Sequence, residues 1–77
     1  MSFRDKLRAD LKSNRYHLKD LAEAAMINPA YLSRILSAEI IPSTKTATFL
    51  AISATRLTGV EHTPDMFLTI AKELNND

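Results

Sequence analysis

The fold is decided by residues 18–36, which read LKDLAEAAMINPAYLSRIL. Apolar residues recur three and four positions apart in this stretch, which predicts two short amphipathic helices over about 18–25 and 29–37. Only residues 26–28 separate the two segments. Because a connection of three residues leaves no room for the helices to run side by side, we expect them to cross at a steep angle.

The two predicted helices carry clear start signals and complementary apolar faces. Asn28 is a good N-cap, and Pro29 suits the first helical position, where no N–H partner is needed. The small side chain of Ala22 allows the two helices to approach closely. The side chains expected between or beneath the two helices are Leu21, Ala22, Ala25, Ile27, Leu32, Ile35 and Leu36.

Three further helices are predicted around this pair. The first covers about 2–13, with an apolar row at i, i+4 and i+8, and Asn14 is expected to end it in the left-handed conformation. The fourth begins at Ser43 or Thr44, after Pro42, and Gly59 stops it. The fifth covers about 64–75 and opens at the sequence Thr-Pro-Asp of residues 63–65. The sequence therefore predicts one compact, all-α domain of five helices over residues 1–77.

Length and composition restrict the class of protein. A chain of 77 residues buries only about 60 to 65% of the surface that its unfolded state exposes, so helix packing or self-association must stabilise it. The absence of cysteine excludes disulfides and fits a reducing cytoplasm. No apolar stretch approaches the ~18 residues that span a bilayer, and no signal-peptide core is present. We therefore expect a cytoplasmic protein with no membrane partner.

The charges are unevenly distributed along the chain. Residues 1–45 hold eight Lys or Arg against five Asp or Glu, whereas residues 46–77 hold two against four. The overall net charge of +1 therefore conceals a basic first part and an acidic last part. A basic region on a small helical domain is typical of a nucleic-acid-binding surface.

The stretch LKDLAEAAMINPAYLSRIL closely resembles the helix-turn-helix of the phage repressor and Cro family. The following residues 41–51, IPSTKTATFLA, resemble the proline-started fourth helix of that family, and the resemblance covers roughly residues 3–57. It implies a lambda-repressor-like fold with the helix-turn-helix at helices 2 and 3. It also implies that the second of these, the recognition helix, enters the major groove of DNA.

The resemblance also implies which residues contact DNA. Base contacts are expected from Asn28, Pro29, Ala30, Tyr31, Ser33 and Arg34. Arg34 is the strongest candidate, because its planar guanidinium can donate two hydrogen bonds to guanine O6 and N7. Phosphate contacts are expected from Leu18, Lys19, Ser37, Ser43, Thr44 and Lys45. No cofactor and no small-molecule ligand is expected.

The sequence departs from the family pattern in three places. Met26 stands in the turn where the family usually has glycine, and a left-handed backbone at such a residue costs on the order of 1 kcal/mol. The loop at residues 38–41 reads AEII, without the usual glycine or basic residues, which weakens the expected phosphate contacts. The fourth helix is also about one turn longer than usual.

Other chemistries find little support in the sequence. His17 and His62 are isolated and have no carboxylates at ligand spacing, so a metal site is not expected. No glycine-rich phosphate loop and no nucleophile context is present, so an enzyme is not expected. The alternative for Arg34 is a surface charge paired with Asp20 or Glu23.

The fifth helix has two alternative roles. Its apolar residues can cover the core of the monomer or contact their counterparts in a second subunit, and we favour both at once. The expected dimer residues are Met66, Phe67, Ile70 and Leu74. We therefore predict a homodimeric, Cro-like or repressor-like regulator that occupies a palindromic double-stranded operator in a prokaryotic or phage-infected cell. The rival is a helical protein-binding module, such as an antitoxin or anti-repressor, that meets a protein partner through helices four and five.

Overall fold

The computed structural model describes the chain from residue 2 to residue 74, and the side chains of residues 2–72. This part is all-α and contains no strand, which confirms the predicted fold class. Its helices are α1 (Phe3–Ser13), α2 (Leu18–Ala24), α3 (Pro29–Leu36), α4 (Thr44–Thr58), α5 (Pro64–Leu68) and α6 (Ile70–Leu74).

Polar side chains cap α1, α3 and α4 where the sequence predicts them, whereas Thr63, before α5, makes no side-chain cap bond. The Ser2 hydroxyl accepts a hydrogen bond from the Asp5 N–H at 3.2 Å, and Asn28 Oδ1 accepts one from the Ala30 N–H at 2.7 Å. At α4 the cap is Ser43, whose hydroxyl accepts from the Thr46 N–H at 3.1 Å. These bonds satisfy N–H groups that have no partner within the helix, so they fix the first residue of each helix.

The first three helices all end in a left-handed residue that is not glycine. These residues are Arg15, Met26 and Ala38, with φ of 65°, 62° and 66°. At the end of α2, the Met26 N–H donates to the Glu23 carbonyl at 3.1 Å, and the Ile27 N–H donates to the Ala22 carbonyl at 2.9 Å. This is the Schellman arrangement, which satisfies the last carbonyls of a helix and reverses the chain.

The expectation that Asn14 is the left-handed residue after α1 is wrong. Asn14 has φ −106°, and the next residue, Arg15, takes the positive φ. The side-chain amide of Asn14 is used elsewhere, because Nδ2 donates to the Asp10 carbonyl at 3.1 Å and to the Thr58 carbonyl at 3.2 Å. Asn14 thereby ties the end of α1 to the end of α4, 44 residues later.

The core is organised around α4, which contacts α1, α2 and α5. The buried face of α4 combines Leu50 with three alanines, Ala47, Ala51 and Ala54. Alanine side chains allow neighbouring helices to approach closely, whereas the leucines of those helices fill the space between them. Helix α2 is thus held between α4 on one side and α3 on the other.

The predicted single helix over 64–75 is instead two short helices, separated at Thr69. Thr69 has φ −98° and ψ 1°, and its hydroxyl donates to the Asp65 carbonyl one turn earlier at 2.8 Å. Such back-bonding by threonine is associated with bends and breaks in helices. The break accompanies the burial of Phe67 and Ile70 in the core, where they are 1% and 7% exposed.

An aromatic contact joins the two ends of the described chain. The rings of Phe3 and Phe67 meet edge to face, with centroids 5.2 Å apart and an interplanar angle of 87°. This geometry is favourable because the positive edge of one ring faces the negative face of the other. The contact closes α5 over the start of α1 and completes the core.

We predict that Met26→Gly raises the free energy of unfolding by about 0.5 to 1 kcal/mol. Glycine removes a left-handed penalty of about 1 to 2 kcal/mol. Part of this stabilisation is lost because glycine also raises the conformational entropy of the unfolded chain. The Met26 side chain is 85% exposed, so little packing is lost. Urea denaturation followed by circular dichroism measures the change.

Two variants make this test specific. Met26→Ala keeps the left-handed strain and should leave stability nearly unchanged, and Ala9→Gly, at an exposed position inside α1, should lower it by about 1 kcal/mol. A Met26→Gly protein less stable than Met26→Ala would contradict the assignment of strain to this turn.

Candidate nucleic-acid interface

Helix α3 has one buried face and one exposed face. Leu32, Ile35 and Leu36 are at most 2% exposed and belong to the core. The opposite face presents Ala30, Ser33 and Arg34, all exposed. This short, mixed polar surface allows close approach of a ligand and offers hydrogen-bond donors along one side of a helix.

The residues at the start of α3 are partly committed to the fold. Asn28 uses its Oδ1 atom for the cap, so its amide NH₂ is the group left to donate to a ligand. The Tyr31 side chain is partly buried and lies against the hydrophobic core. Packing against the core restricts the Tyr31 side chain, whereas Pro29 and Ala30 are exposed.

Arg34 carries the exposed positive charge of α3. Within the described residues the structure contains one ion pair, between Lys6 Nζ and Asp10 Oδ2 at 2.8 Å. Neither Asp20 nor Glu23 lies within 4 Å of the Arg34 guanidinium, so the surface-pair alternative is not realised there. The full fork of N–H donors of Arg34 is available to a ligand.

The predicted phosphate-contacting residues lie at the starts of α2 and α4. Lys19, Thr44 and Lys45 are exposed, and Leu18 is partly buried against the core. Ser43 is exposed, but its hydroxyl is engaged in the α4 cap, where it also donates to Thr46 Oγ1 at 3.1 Å. The start of α4 thus combines an ammonium group with N–H groups at the positive end of a helix of 15 residues.

Ser37 is a weaker candidate for a phosphate contact than its position at the end of α3 suggests. Its hydroxyl donates to the Glu39 carboxylate at 2.9 Å and to the Ser33 carbonyl at 3.0 Å. A carboxylate at this point repels a phosphate, and the hydroxyl is already engaged.

The structure places the starts of α2 and α3 next to each other. One surface depression is lined by Lys19, Asp20, Glu23, Ile27 and Pro29. Lys19 also lines a second groove, between α1 and α2, with Arg8, Ala9, Lys12, Tyr16, His17 and Leu18. The sequence predictions did not include this groove, although the spacing of Arg8 and Lys12, one helical turn apart, is a signal that could have indicated it.

The expected dimer residues do not share one environment. Phe67 and Ile70 are buried by the chain itself, so they have almost no surface to offer a partner, whereas Met66 is 38% exposed. The side chain of Leu74 lies outside the described residues. Helix α4 presents two large apolar side chains that the predictions did not include, Phe49 at 43% and Ile52 at 53% exposure.

The histidines and carboxylates of the described chain do not form a metal site. No group of three or more such side chains, within the part of the chain that the structure describes, could hold a metal ion. The His62 ring lies edge-on to Phe3, and its Nδ1 lies 2.7 Å from the Val60 carbonyl oxygen. His62 therefore has a structural role beside the core.

No helix in the described residues is long and apolar enough to cross a membrane.

Comparison with known proteins identifies the two-helix unit. A family model described as helix-turn-helix matches residues 7–52, which is more than half of the chain. The match begins within α1, includes all of α2 and α3, and ends within α4. No curated protein and no solved structure matches the chain. The match and the exposed face of α3 agree: the chain belongs to the helix-turn-helix family, of the Cro/repressor type of DNA-binding regulator.

Proposed function

We propose that this protein is a sequence-specific regulator that binds a palindromic operator as a homodimer, with α3 of each subunit in the major groove. The observation that supports this most directly is the exposed, unpaired Arg34 on a recognition helix whose opposite face is buried. A rigid helix with one free guanidinium is suited to read a guanine by two hydrogen bonds. Occupation of the operator then excludes polymerase or a competing regulator, without a cofactor.

The proposed readout divides the surface into two functions. Base edges are met by Asn28, Pro29, Ala30, Tyr31, Ser33 and Arg34, which surround the start and outer face of α3. Phosphates are met by Leu18 and Lys19 at α2 and by Ser43, Thr44 and Lys45 at α4. Phosphate contacts set the register of the protein on DNA, whereas base contacts provide the specificity.

A dimer is proposed because one half-site gives a domain of this size few base contacts. The surface that supports it is on α4, where Phe49 and Ile52 lie one turn apart and are both largely exposed. Exposed apolar side chains at neighbouring positions are typical of protein contacts. Of the predicted dimer residues whose side chains the structure describes, only Met66 is exposed.

The same apolar surface keeps a second candidate open, a helical protein-binding module whose partner is a different protein. Selection of bound duplexes from a random DNA pool distinguishes the two. A palindromic consensus supports a dimeric operator-binding protein, and failure to enrich any sequence contradicts the proposed function and favours the module.

We predict that Arg34→Ala lowers affinity for the selected operator by about 1 to 3 kcal/mol and relaxes selectivity at one base pair in each half-site. The change removes a bidentate contact and leaves the buried face of α3 intact. Fluorescence anisotropy with single-base-pair variants of the operator measures both effects. Arg56→Ala, an exposed arginine in the last turn of α4, is the matched control and should change neither. Unaltered binding by the Arg34→Ala protein would show that α3 is oriented differently on DNA.

We predict that Lys45→Ala weakens binding to all DNA sequences about equally, and Lys19→Ala does so to a smaller degree. Each removes about one phosphate contact per subunit, so the slope of log affinity against log salt becomes shallower by about 0.9 per subunit. Titrations at four or more salt concentrations measure the slope, with Lys72→Ala in α6 as the control. Equal slopes for the parent and both variants would exclude these lysines from the phosphate contacts.

We predict that the parent protein sediments as a dimer at micromolar concentration and that the double change Phe49→Gln and Ile52→Gln yields a folded monomer. In a dimer, once one subunit has bound its half-site, the second subunit binds the other half-site intramolecularly. A monomer loses this contribution, which raises affinity by about 10²- to 10⁴-fold. Sedimentation and circular dichroism separate a monomer from an unfolded chain. Met26→Gln removes an apolar side chain outside α4 that is more exposed than Phe49 or Ile52, and this variant should stay dimeric. A monomeric parent that binds one asymmetric site tightly would refute the dimer.

A further inference from the structure

The groove between α1 and α2 is a basic concave surface that extends from the proposed phosphate contacts at Leu18 and Lys19 to side chains of α1 that those contacts do not include. Its lining includes Arg8 and Lys12 from α1 and Lys19 from α2, together with Tyr16 and His17, and contains no carboxylate. All three cationic side chains are exposed. No carboxylate of the described residues lies within 4 Å of any of them, so their charges are not neutralised by ion pairs there.

The groove continues toward the recognition helix. Lys19 lines both this groove and the neighbouring depression that contains Pro29, the first residue of α3. A surface path therefore leads from Arg8 and Lys12, past Lys19, to the residues that are proposed to meet base edges. Two acidic side chains, Asp20 and Glu23, line the depression at the α3 end of this path, whereas the groove itself has none. The Asp20 carboxylate accepts a hydrogen bond from the His17 N–H at 2.7 Å and is thereby partly occupied.

We propose that the α1–α2 groove binds the sugar-phosphate backbone of the operator beyond the base pairs read by α3. Arg8 and Lys12 lie one turn apart, about 6 Å along the helix axis. One DNA strand carries a charge per about 3.4 Å of its axis, so the two cations are spaced to meet separate phosphates. The Tyr16 hydroxyl supplies a further donor, and the long side chains of Arg8, Lys12 and Lys19 can adjust to the position of a backbone.

The occupant is DNA and not an acidic protein because the groove is continuous with the proposed DNA-contacting surface. This inference rests on the proposed function and extends it. The contacts involve no bases, so they lengthen the site that the protein covers and raise affinity without changing which sequence is preferred.

The test uses the duplex selected by the parent protein, prepared in two lengths. The short duplex ends at the outer base pair of each half-site, and the long duplex has added flanking base pairs on both sides. The double variant Arg8→Ala and Lys12→Ala is compared with Arg56→Ala and Lys72→Ala, which removes the same charge from α4 and α6. Circular dichroism verifies that both variants are folded.

We expect the parent to bind the long duplex more tightly than the short one. In the Arg8 and Lys12 variant the length preference should disappear, and the slope of log affinity against log salt on the long duplex should become shallower by about 1.8 per subunit. The preference for the selected sequence over random DNA should persist. The control variant should retain both the length preference and the slope.

Three outcomes overturn the inference and are distinguishable. If the Arg8 and Lys12 variant retains both the salt slope and the length preference of the parent, the groove does not contact DNA and is free for an acidic protein partner. The same loss in both variants would indicate a general effect of net charge. If the parent itself binds neither duplex above random DNA, the proposed function fails, and the inference fails with it.

Discussion

The position of α3 depends on the left-handed backbone at Met26. Two hydrogen bonds, from the N–H groups of Met26 and Ile27, close α2 at this residue and direct the chain into α3. A side chain at such a position costs about 1 to 2 kcal/mol relative to glycine. Arg15 and Ala38 adopt the same conformation, so the three turns together cost about 3 to 6 kcal/mol, which is a large share of the stability of a small domain.

The core must offset this strain, and its composition explains how. Five leucines are fully buried: Leu7, Leu11, Leu21, Leu32 and Leu50. Burial of one such side chain contributes about 1.5 to 3 kcal/mol, so two or three of them match the cost of the turns. The alanines of α4 make this burial possible, because they bring α1, α2 and α5 close enough for leucines to fill the interior. The strained turns thus persist because the packing of α4 determines where the helices must lie.

The same packing separates the surface into regions with different chemistry. Helix α4 has Lys45 in its first turn and presents Phe49 and Ile52 further along, so one element combines a cationic end with an exposed apolar face. The basic groove between α1 and α2 meets the start of α3 at Lys19. A cationic groove therefore lies on the α1–α2 side of the molecule and reaches the start of α3 at Lys19, and apolar surface lies on α4. Several basic residues of the first part of the sequence are thus gathered in one groove, although the net charge of the whole chain is only +1.

The sequence by itself determined helices α1 to α4, their first residues and the faces that they bury. Caps such as Asn28 and Ser43, and apolar stripes such as that of α3, depend on residues within one turn of each other, so local rules predict them. Tertiary structure decided the break at Thr69, the burial of Phe67 and the role of Asn14. The physical reason is that these features rest on contacts between distant parts of the chain, such as Phe3 with Phe67, which the local pattern does not contain. The α1–α2 groove likewise exists only where two helices meet, and only the fold shows that Arg8 and Lys12 share a surface with Lys19.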